Sequence, residues 1–233
     1  MKLLAVFAHP DDEAFGPAGT LSRYASTGHE VRLVTLTRGE AGRLGPAEHL
    51  TRRELARLRS DELRCSARAL RVASLRIHAL PDGKLAELPA EDGLKIIRSE
   101  IGRYHPDALI TFHSAGISGH PDHRTVARWC YQAVRESNPG PRLFAYGISP
   151  AQADLVRHRP LTPIPEAEIT HVIDVSQYLE CKYQAIRCHQ SQGESWERMQ
   201  GVEGGLAAFL HYEHFSLVWP QVARSARLDR FEE

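Results

Sequence analysis

Short apolar runs of β-forming residues alternate along this chain with stretches of helical periodicity, and that alternation limits the possible folds more than any other feature. The runs Lys2–Ala8, Glu30–Thr37, Arg76–Leu80, Ala108–Phe112, Arg142–Ile148 and Thr170–Asp174 read as strands. Helices are expected at about Ala14–Ser26, Glu48–Leu70 and Asp92–Tyr104, from near Asp122, and at Ser176–Cys188, with a weaker one at Gly204–His211. Residues 150–168 hold Pro150, Pro160, Pro163 and Pro165 and read as a long loop or excursion. The pattern predicts one α/β domain over residues 1–233, a mostly parallel sheet with helices on both faces. Open sheets of this kind bind ligands at the carboxyl ends of their strands.

That rule sorts a tripeptide, His-Pro-Asp, which occurs at 9–11, 105–107 and 120–122. The first copy follows strand one directly. The third follows strand four across a loop containing Gly116 and Gly119, so both are expected on one edge. The copy at 105 precedes strand four, and His105 reads as a turn residue on the opposite edge. The first and third copies each carry an added ligand-type residue, Asp12 and His123.

Imidazole nitrogen and carboxylate oxygen are both good zinc ligands. His9 and Asp12, three apart at a strand-to-helix turn, can point at one centre, and His123 can complete a set of three. Three protein ligands leave a coordination position open for water, the pattern of a catalytic site. Asp11 is then a spare carboxylate suited to accept and return a proton. His120, partnered by Asp122, is suited to donate to an oxyanion. These are the parts of metal-assisted amide hydrolysis. The alternative is structural, with Asp12 and Asp122 serving only as helix caps.

Positive and negative side chains balance at 29 each, which argues against nucleic acid or an acidic membrane as the main partner. No apolar run approaches the ~18 residues of a membrane span, and Leu3–Ala8 is too short for a signal peptide, so a cytoplasmic protein is expected. Cys65, Cys130, Cys181 and Cys188 form no CxxC pair and read as buried free thiols.

With these residues in place, the chain resembles the PIG-L/LmbE-like family of zinc deacetylases. The likeness rests on Ala8-His9-Pro10-Asp11-Asp12-Glu13 and Gly119-His120-Pro121-Asp122-His123. It extends to Gly39-Glu40-Ala41-Gly42, Arg59-Ser60-Asp61-Glu62, Pro81-Asp82-Gly83, and Lys182, Ala185, His189, Ser191 and Gln192, covering about residues 2–192. The resemblance implies a Rossmann-like fold, N-deacetylation of glucosamine-containing molecules, Zn2+ and a homo-oligomer such as a hexamer. It implies His9, Asp12 and His123 as metal ligands, Asp11 as base, and His120 as donor oriented by Asp122. Glu13, Glu40, Arg59 and Asp82 are implied at the substrate side, Glu13 as a support for the ligands. Arg59 also reads as a solvated helix face and Asp82 as a Pro-Asp-Gly turn. His113 reads as a packed core histidine.

The function expected is release of acetate from a small N-acetylglucosaminyl conjugate. N-acetylglucosaminyl-malate, on the route to a low-molecular-weight thiol of the bacillithiol type, is the leading substrate, because Arg52, Arg53 and Arg59 are available to a carboxylate. Arg38 beside the Gly39 turn points the same way. A chitobiose-type deacetylase is the sibling alternative. A non-catalytic nucleotide-binding or metal-binding module is the alternative of a different class, although Gly39, Gly42 and Gly45 do not form GxGxxG.

Overall fold

The computed structural model describes residues 1–43, 49–156, 160–193, 197, 209–220 and 227–232. The elements in chain order are β1 (Lys2–Phe7), α1 (Asp12–Phe15), α2 (Ala18–Ser26), β2 (Glu30–Thr37), α3 (Arg52–Ala69) and β3 (Ser74–Leu80). They continue with α4 (Ala90–Tyr104), β4 (Ala108–Phe112), α5 (Gly116–Gly119), α6 (Pro121–Glu136), β5 (Arg142–Gly147) and α7 (Pro150–Leu155). The last are β6 (His171–Asp174), α8 (Leu179–Cys188) and β7 (Tyr212–Trp219).

The strands form one seven-stranded sheet in the order β3-β2-β1-β4-β5-β7-β6. All neighbours from β3 to β5 pair in parallel, and β7 runs antiparallel to both β5 and β6. From Leu3 onward β1 is buried at every residue, as is all of β4, which requires cover on both faces. Helices α2, α3 and α8 pack together on one side, and α4 and α6 on the other. The expected three-layer α/β fold with a mostly parallel sheet is the one observed. Strand order reverses between β1 and β4, so the loops that leave these two strands flank a crevice at the topological switch point. No helix among the described residues is long and apolar enough to cross a membrane.

Four expectations need correction. The helix over Ala14–Ser26 is broken at Gly16-Pro17, where proline removes a donor and biases the preceding residue away from helix. A Cβ on Gly16 would lie 2.4 Å from the Asp12 carbonyl oxygen. The proline-rich excursion opens with a packed helix, α7, because Ser149 and Gln152 form a capping box with Pro150 at the first helical position. Gln152 is buried and its amide donates to the carbonyls of Phe209 and Tyr212 at 2.7 and 3.0 Å. The sequence gives little sign of β7, which carries Glu213 and His214 within a strand; the helix expected at Gly204–His211 lies largely outside the described residues. Finally, the cysteines are not all free. α3 and α8 lie side by side, and Cys65 and Cys188 form a disulfide across them with Cα atoms 5.7 Å apart, leaving Cys130 and Cys181 as thiols.

The α4–α6 contact depends on the absence of a side chain at Gly93. A Cβ there would lie 2.1 Å from a ring carbon of Trp129, which is fully buried and has no room to move. Gly93→Ala gains about 1 kcal/mol of helix propensity, but overpacking costs about 1–3 kcal/mol and a contact this short sits at the upper end. Urea unfolding of Gly93→Ala is expected to show a net loss of stability with turnover unchanged.

Candidate active site

The turn after β1 is built on an unusual backbone. Asp11 has φ 113°, a region that residues with a side chain avoid. Its N–H donates to Glu13 Oε2 at 3.1 Å, and its carbonyl accepts from Ala14 and Phe15, both at 3.0 Å. Asp12 folds back so that its Oδ2 accepts the His9 N–H at 2.7 Å. The second loop enters from β4. His123, on the first turn of α6, stacks on Phe112 with ring centroids 4.0 Å apart, and its Nδ1 lies 3.2 Å from the Gly116 carbonyl.

These constraints bring three side chains to one point. His9 Nδ1 is 3.2 Å from His123 Nε2, His123 Nε2 is 3.1 Å from Asp12 Oδ1, and His9 Nδ1 is 3.5 Å from Asp12 Oδ2. Donors on a tetrahedral zinc at about 2.0 Å stand about 3.3 Å from one another, the scale of these separations, in which Asp12 faces His123 with Oδ1 and His9 with Oδ2. The outer nitrogens are also committed. Gly116 accepts from His123 Nδ1–H, which leaves Nε2 as the lone-pair nitrogen. His9 Nε2 is 3.1 Å from both Asp82 Oδ1 and Asp122 Oδ2, the carboxylate–imidazole arrangement that orients metal ligands. His9 with Asp82 and Asp122 also forms a cluster with donor spacing suited to a cation. The Nδ1 side suits an ion better, because Asp122 already accepts the N–H groups of Gly83 and Leu85 at 2.8 and 3.0 Å.

The electrostatics favour positive charge here. Burial alone would lower the His9 pKa, but Asp12, Asp122 and Asp82 raise it to about 10. Burial pushes Asp12 up, but His123 and His9 more than offset this and hold it far below the usual carboxylate range. Asp11 is the exception. Burial lifts it to about 6 against the pull of Arg59.

His120 sits at the rim, its ring centroid 4.9 Å from those of both His9 and His123. The resemblance placed the Asp122 carboxylate behind it. Instead that carboxylate turns to His9, and it is the Asp122 N–H that donates to His120 Nδ1, at 3.2 Å. His120 caps α6, and burial together with His9 and His123 lowers its pKa. A neutral ring whose Nδ1 accepts carries its hydrogen on Nε2.

The remaining expected residues separate into two groups. Arg59 and Asp82 border the cavity. Arg59 is no solvated helix residue: it is 3% exposed, and it donates to Asp11 Oδ2 at 3.0 Å and to the carbonyls of Pro10 and Gly39. Gly39 and Gly42 make room for it, since a Cβ at either would lie within 2.5 Å of its guanidinium. Glu13 and Glu40 were placed at the substrate side and belong behind it. Glu13 is fully buried, with Oε1 held by Ser66 Oγ at 2.5 Å and His189 Nε2 at 2.7 Å. Glu40 Oε1 accepts the Asp82 N–H at 3.0 Å and so fixes the Pro81-Asp82-Gly83 turn. His105 closes α4 with φ 49°, exposed on the opposite edge, and His113 is buried 3.4 Å from Glu168.

Sequence reasoning missed Ser66 and Glu213, whose Oε1 lies 2.6 Å from Nζ of Lys182, a residue the resemblance includes. Neither Ser66 nor Glu213 has a local pattern that sets it apart. The cavity over the ligand set measures about 420 Å³. Its lining includes the polar Asp11, His120 and Arg59 and the apolar Phe15, Ile117, Tyr146, Ile148 and Leu161. A second cavity of about 1320 Å³ runs beside β5 and β7 and shares only Phe112 with it among the described residues.

Comparison with known proteins decides the family. The sequence pattern of the PIG-L family, described as GlcNAc-PI de-N-acetylase, matches residues 4–134, more than half of the chain. The chain belongs to this family. It is an amidohydrolase of the N-deacetylase type. It is similar to the 1D-myo-inositol 2-acetamido-2-deoxy-alpha-D-glucopyranoside deacetylase of Actinosynnema mirum, 31% identical across 93% of this chain and 91% of that protein. It is similar to the probable N-acetyl-alpha-D-glucosaminyl L-malate deacetylase 2 of Bacillus anthracis, 31% identical across 82% of this chain and 80% of that protein. Among solved structures, it resembles the N,N'-diacetylchitobiose deacetylase from Pyrococcus horikoshii with TM-score 0.66, 26% identity, and coverage of 92% of this chain and 82% of that one.

Replacing His9, Asp12 or His123 by alanine is expected to abolish tight binding of a divalent ion. Asp82→Asn and Asp122→Asn, which leave the three ligands intact, are expected to weaken it by roughly 10–100-fold. Competition with a chromophoric chelator measures both effects.

Proposed function

We propose that this amidohydrolase uses zinc to hydrolyse the acetamide of an N-acetylglucosaminyl conjugate, releasing acetate and the free amino sugar. The observation that carries the reading is the Asp11 carboxylate. It lies next to the ligand set, faces the cavity, and is fixed by Arg59 rather than consumed as a ligand. A site built only to hold a metal has no use for a carboxylate in that place.

His9, Asp12 and His123 would hold the zinc, which when bound would supply Lewis acidity toward water and the amide carbonyl. Asp11 takes the proton that water loses as its oxygen bonds to the carbonyl carbon. Burial near the poise needed at neutral pH suits it to give that proton back to the amine nitrogen as the C–N bond breaks. Arg59 holds the carboxylate in one orientation and also holds the Pro10 carbonyl, so base and turn are fixed by one guanidinium. The His120 Nε2–H donates to the oxygen that gains charge in the tetrahedral intermediate. The tautomer set by the Asp122 amide makes this possible with a neutral ring.

The arginines that favoured a malate conjugate do not form a free cluster. Arg59 is committed to Asp11 and two carbonyls, and Arg52 donates to the carbonyls of Glu40 and Gly42 at 3.2 and 2.7 Å. Arg38 and Arg53 are exposed and outside the cavity lining. The reading therefore rests on the amino sugar, with malate, a second glucosamine as in chitobiose, and the inositol of the relatives as candidates for the second moiety.

Acetate release from N-acetylglucosaminyl-inositol, N-acetylglucosaminyl-malate and N,N'-diacetylchitobiose tests it. Turnover of at least one glucosaminyl conjugate, lost on zinc removal and restored by zinc, is the expected outcome; no acetate from any of the three rejects the proposal. Asp11→Ala is expected to retain metal and lose about 10²–10⁴ in kcat. Full activity in that variant would show that another group is the base.

A further inference from the structure

The polar chain behind the catalytic turn ends on a disulfide. α3 presents Arg59, Glu62 and Ser66 on one face, at helical spacing, and all three are buried. Each holds part of the site: Arg59 the Asp11 carboxylate, Glu62 the N–H and Oγ of Ser191, both at 2.7 Å, and Ser66 the Glu13 carboxylate. Glu13 in turn receives the N–H of Asp11, the residue with the left-handed backbone. The two anchors of Glu13 Oε1 are Ser66 and His189. Each is the next residue after a half-cystine, since Cys65 precedes Ser66 and Cys188 precedes His189. Both cysteines are half-buried, within reach of a small thiol or disulfide.

We propose that Cys65 and Cys188 form a reversible thiol–disulfide site that sets how firmly Glu13 holds the backbone of Asp11, and so sets the rate of hydrolysis. The proposal rests on the role assigned to Asp11 above. With the bond closed, α8 cannot slide along α3, and Ser66 and His189 meet on one carboxylate oxygen. With it open, His189 follows the last residue of α8 and the covalent tie between α8 and α3 beside it is lost, leaving packing and hydrogen bonds, the Glu62–Ser191 pair among them. Oxidation uses a low-molecular-weight disulfide. The thiolate of one cysteine attacks it and expels one thiol. The second cysteine then displaces the other thiol from the mixed disulfide. Two protein thiols become one disulfide, and the small disulfide becomes two thiols. Ser66 and His189 are positioning residues in this scheme, acting through Glu13.

The test compares oxidised protein with protein reduced by a phosphine, the phosphine then being removed and thiols and bound zinc counted on each sample. Reduction is expected to lower kcat roughly tenfold, the scale of an outer-shell loss, with KM and zinc content unchanged. Oxidised glutathione is expected to restore it. The Cys65→Ser/Cys188→Ser double variant is expected to stay at the reduced level and to ignore both reagents. Amide hydrogen exchange in residues 9–15 is expected to quicken on reduction. Equal kcat in the two states, with only the melting temperature lower after reduction, would overturn the proposal, as would a redox response in the double variant. Should no sample release acetate, the deacetylase reading fails by itself. Exchange in 9–15 then decides this proposal alone, unchanged rates on reduction rejecting it and faster rates supporting it.

Discussion

One imidazole ties the whole site together. His9 turns Nδ1 toward Asp12 and His123 and Nε2 toward Asp82 and Asp122. Those partners come from the turns after β1 and β3 and from the start of α6, so a single ring registers three segments against one another. A buried ring flanked by this many carboxylates holds a positive charge or a cation, and cannot be removed without leaving several carboxylates unbalanced. The position of the hub follows from topology. The chain crosses from one half of the sheet to the other between β1 and β4, and the crevice opened there exposes the ends of both strands.

The parts of this arrangement that rest on local chemistry were legible in the sequence. Strand alternation gave the layered fold, and the placement of each His-Pro-Asp relative to its strand separated His9 and His120 from His105. What sequence could not show is direction. Nothing in the string distinguishes an Asp122 carboxylate turned to His120 from one turned to His9, because the choice is made by the N–H groups of Gly83 and Leu85, nearly forty residues upstream. Arg59 was ambiguous for a related reason. Its helix is highly charged, and only the bare glycines at 39 and 42 reveal that a guanidinium is buried against them. Glu13 entered only through the resemblance, as a support for the ligands, and nothing in the string shows what it holds. One further helical step turns it inward, where it meets Ser66 and His189. Cysteine pairing was hidden because it depends on α3 and α8 being neighbours across a separation of 123 residues.

Taken together, the site is a thin layer of reacting groups over a thick layer of buried polar groups. Glu13, Glu62, Ser66 and Asp122 are nearly inaccessible and hydrogen-bonded, and buried His189 is held through Nε2 while its Nδ1 has no partner among the described residues. Such networks are costly to leave half-made, so the groups that hold the catalytic turn also define one arrangement of it. The strained backbone at Asp11 is affordable only inside that network.

The antiparallel strand β7 has a consequence for how such a molecule is made. Glu213 on that strand accepts from the amides of Gly19 and Thr20 at 2.9 and 2.8 Å, across 194 and 193 residues, and it also neutralises Lys182. Helix α2 is therefore left with open amide groups until the polypeptide has been made through Glu213. Contacts of such long range slow folding. A chain lacking this strand leaves the Lys182 ammonium without its counterion, and a buried charge without a partner is strongly destabilising.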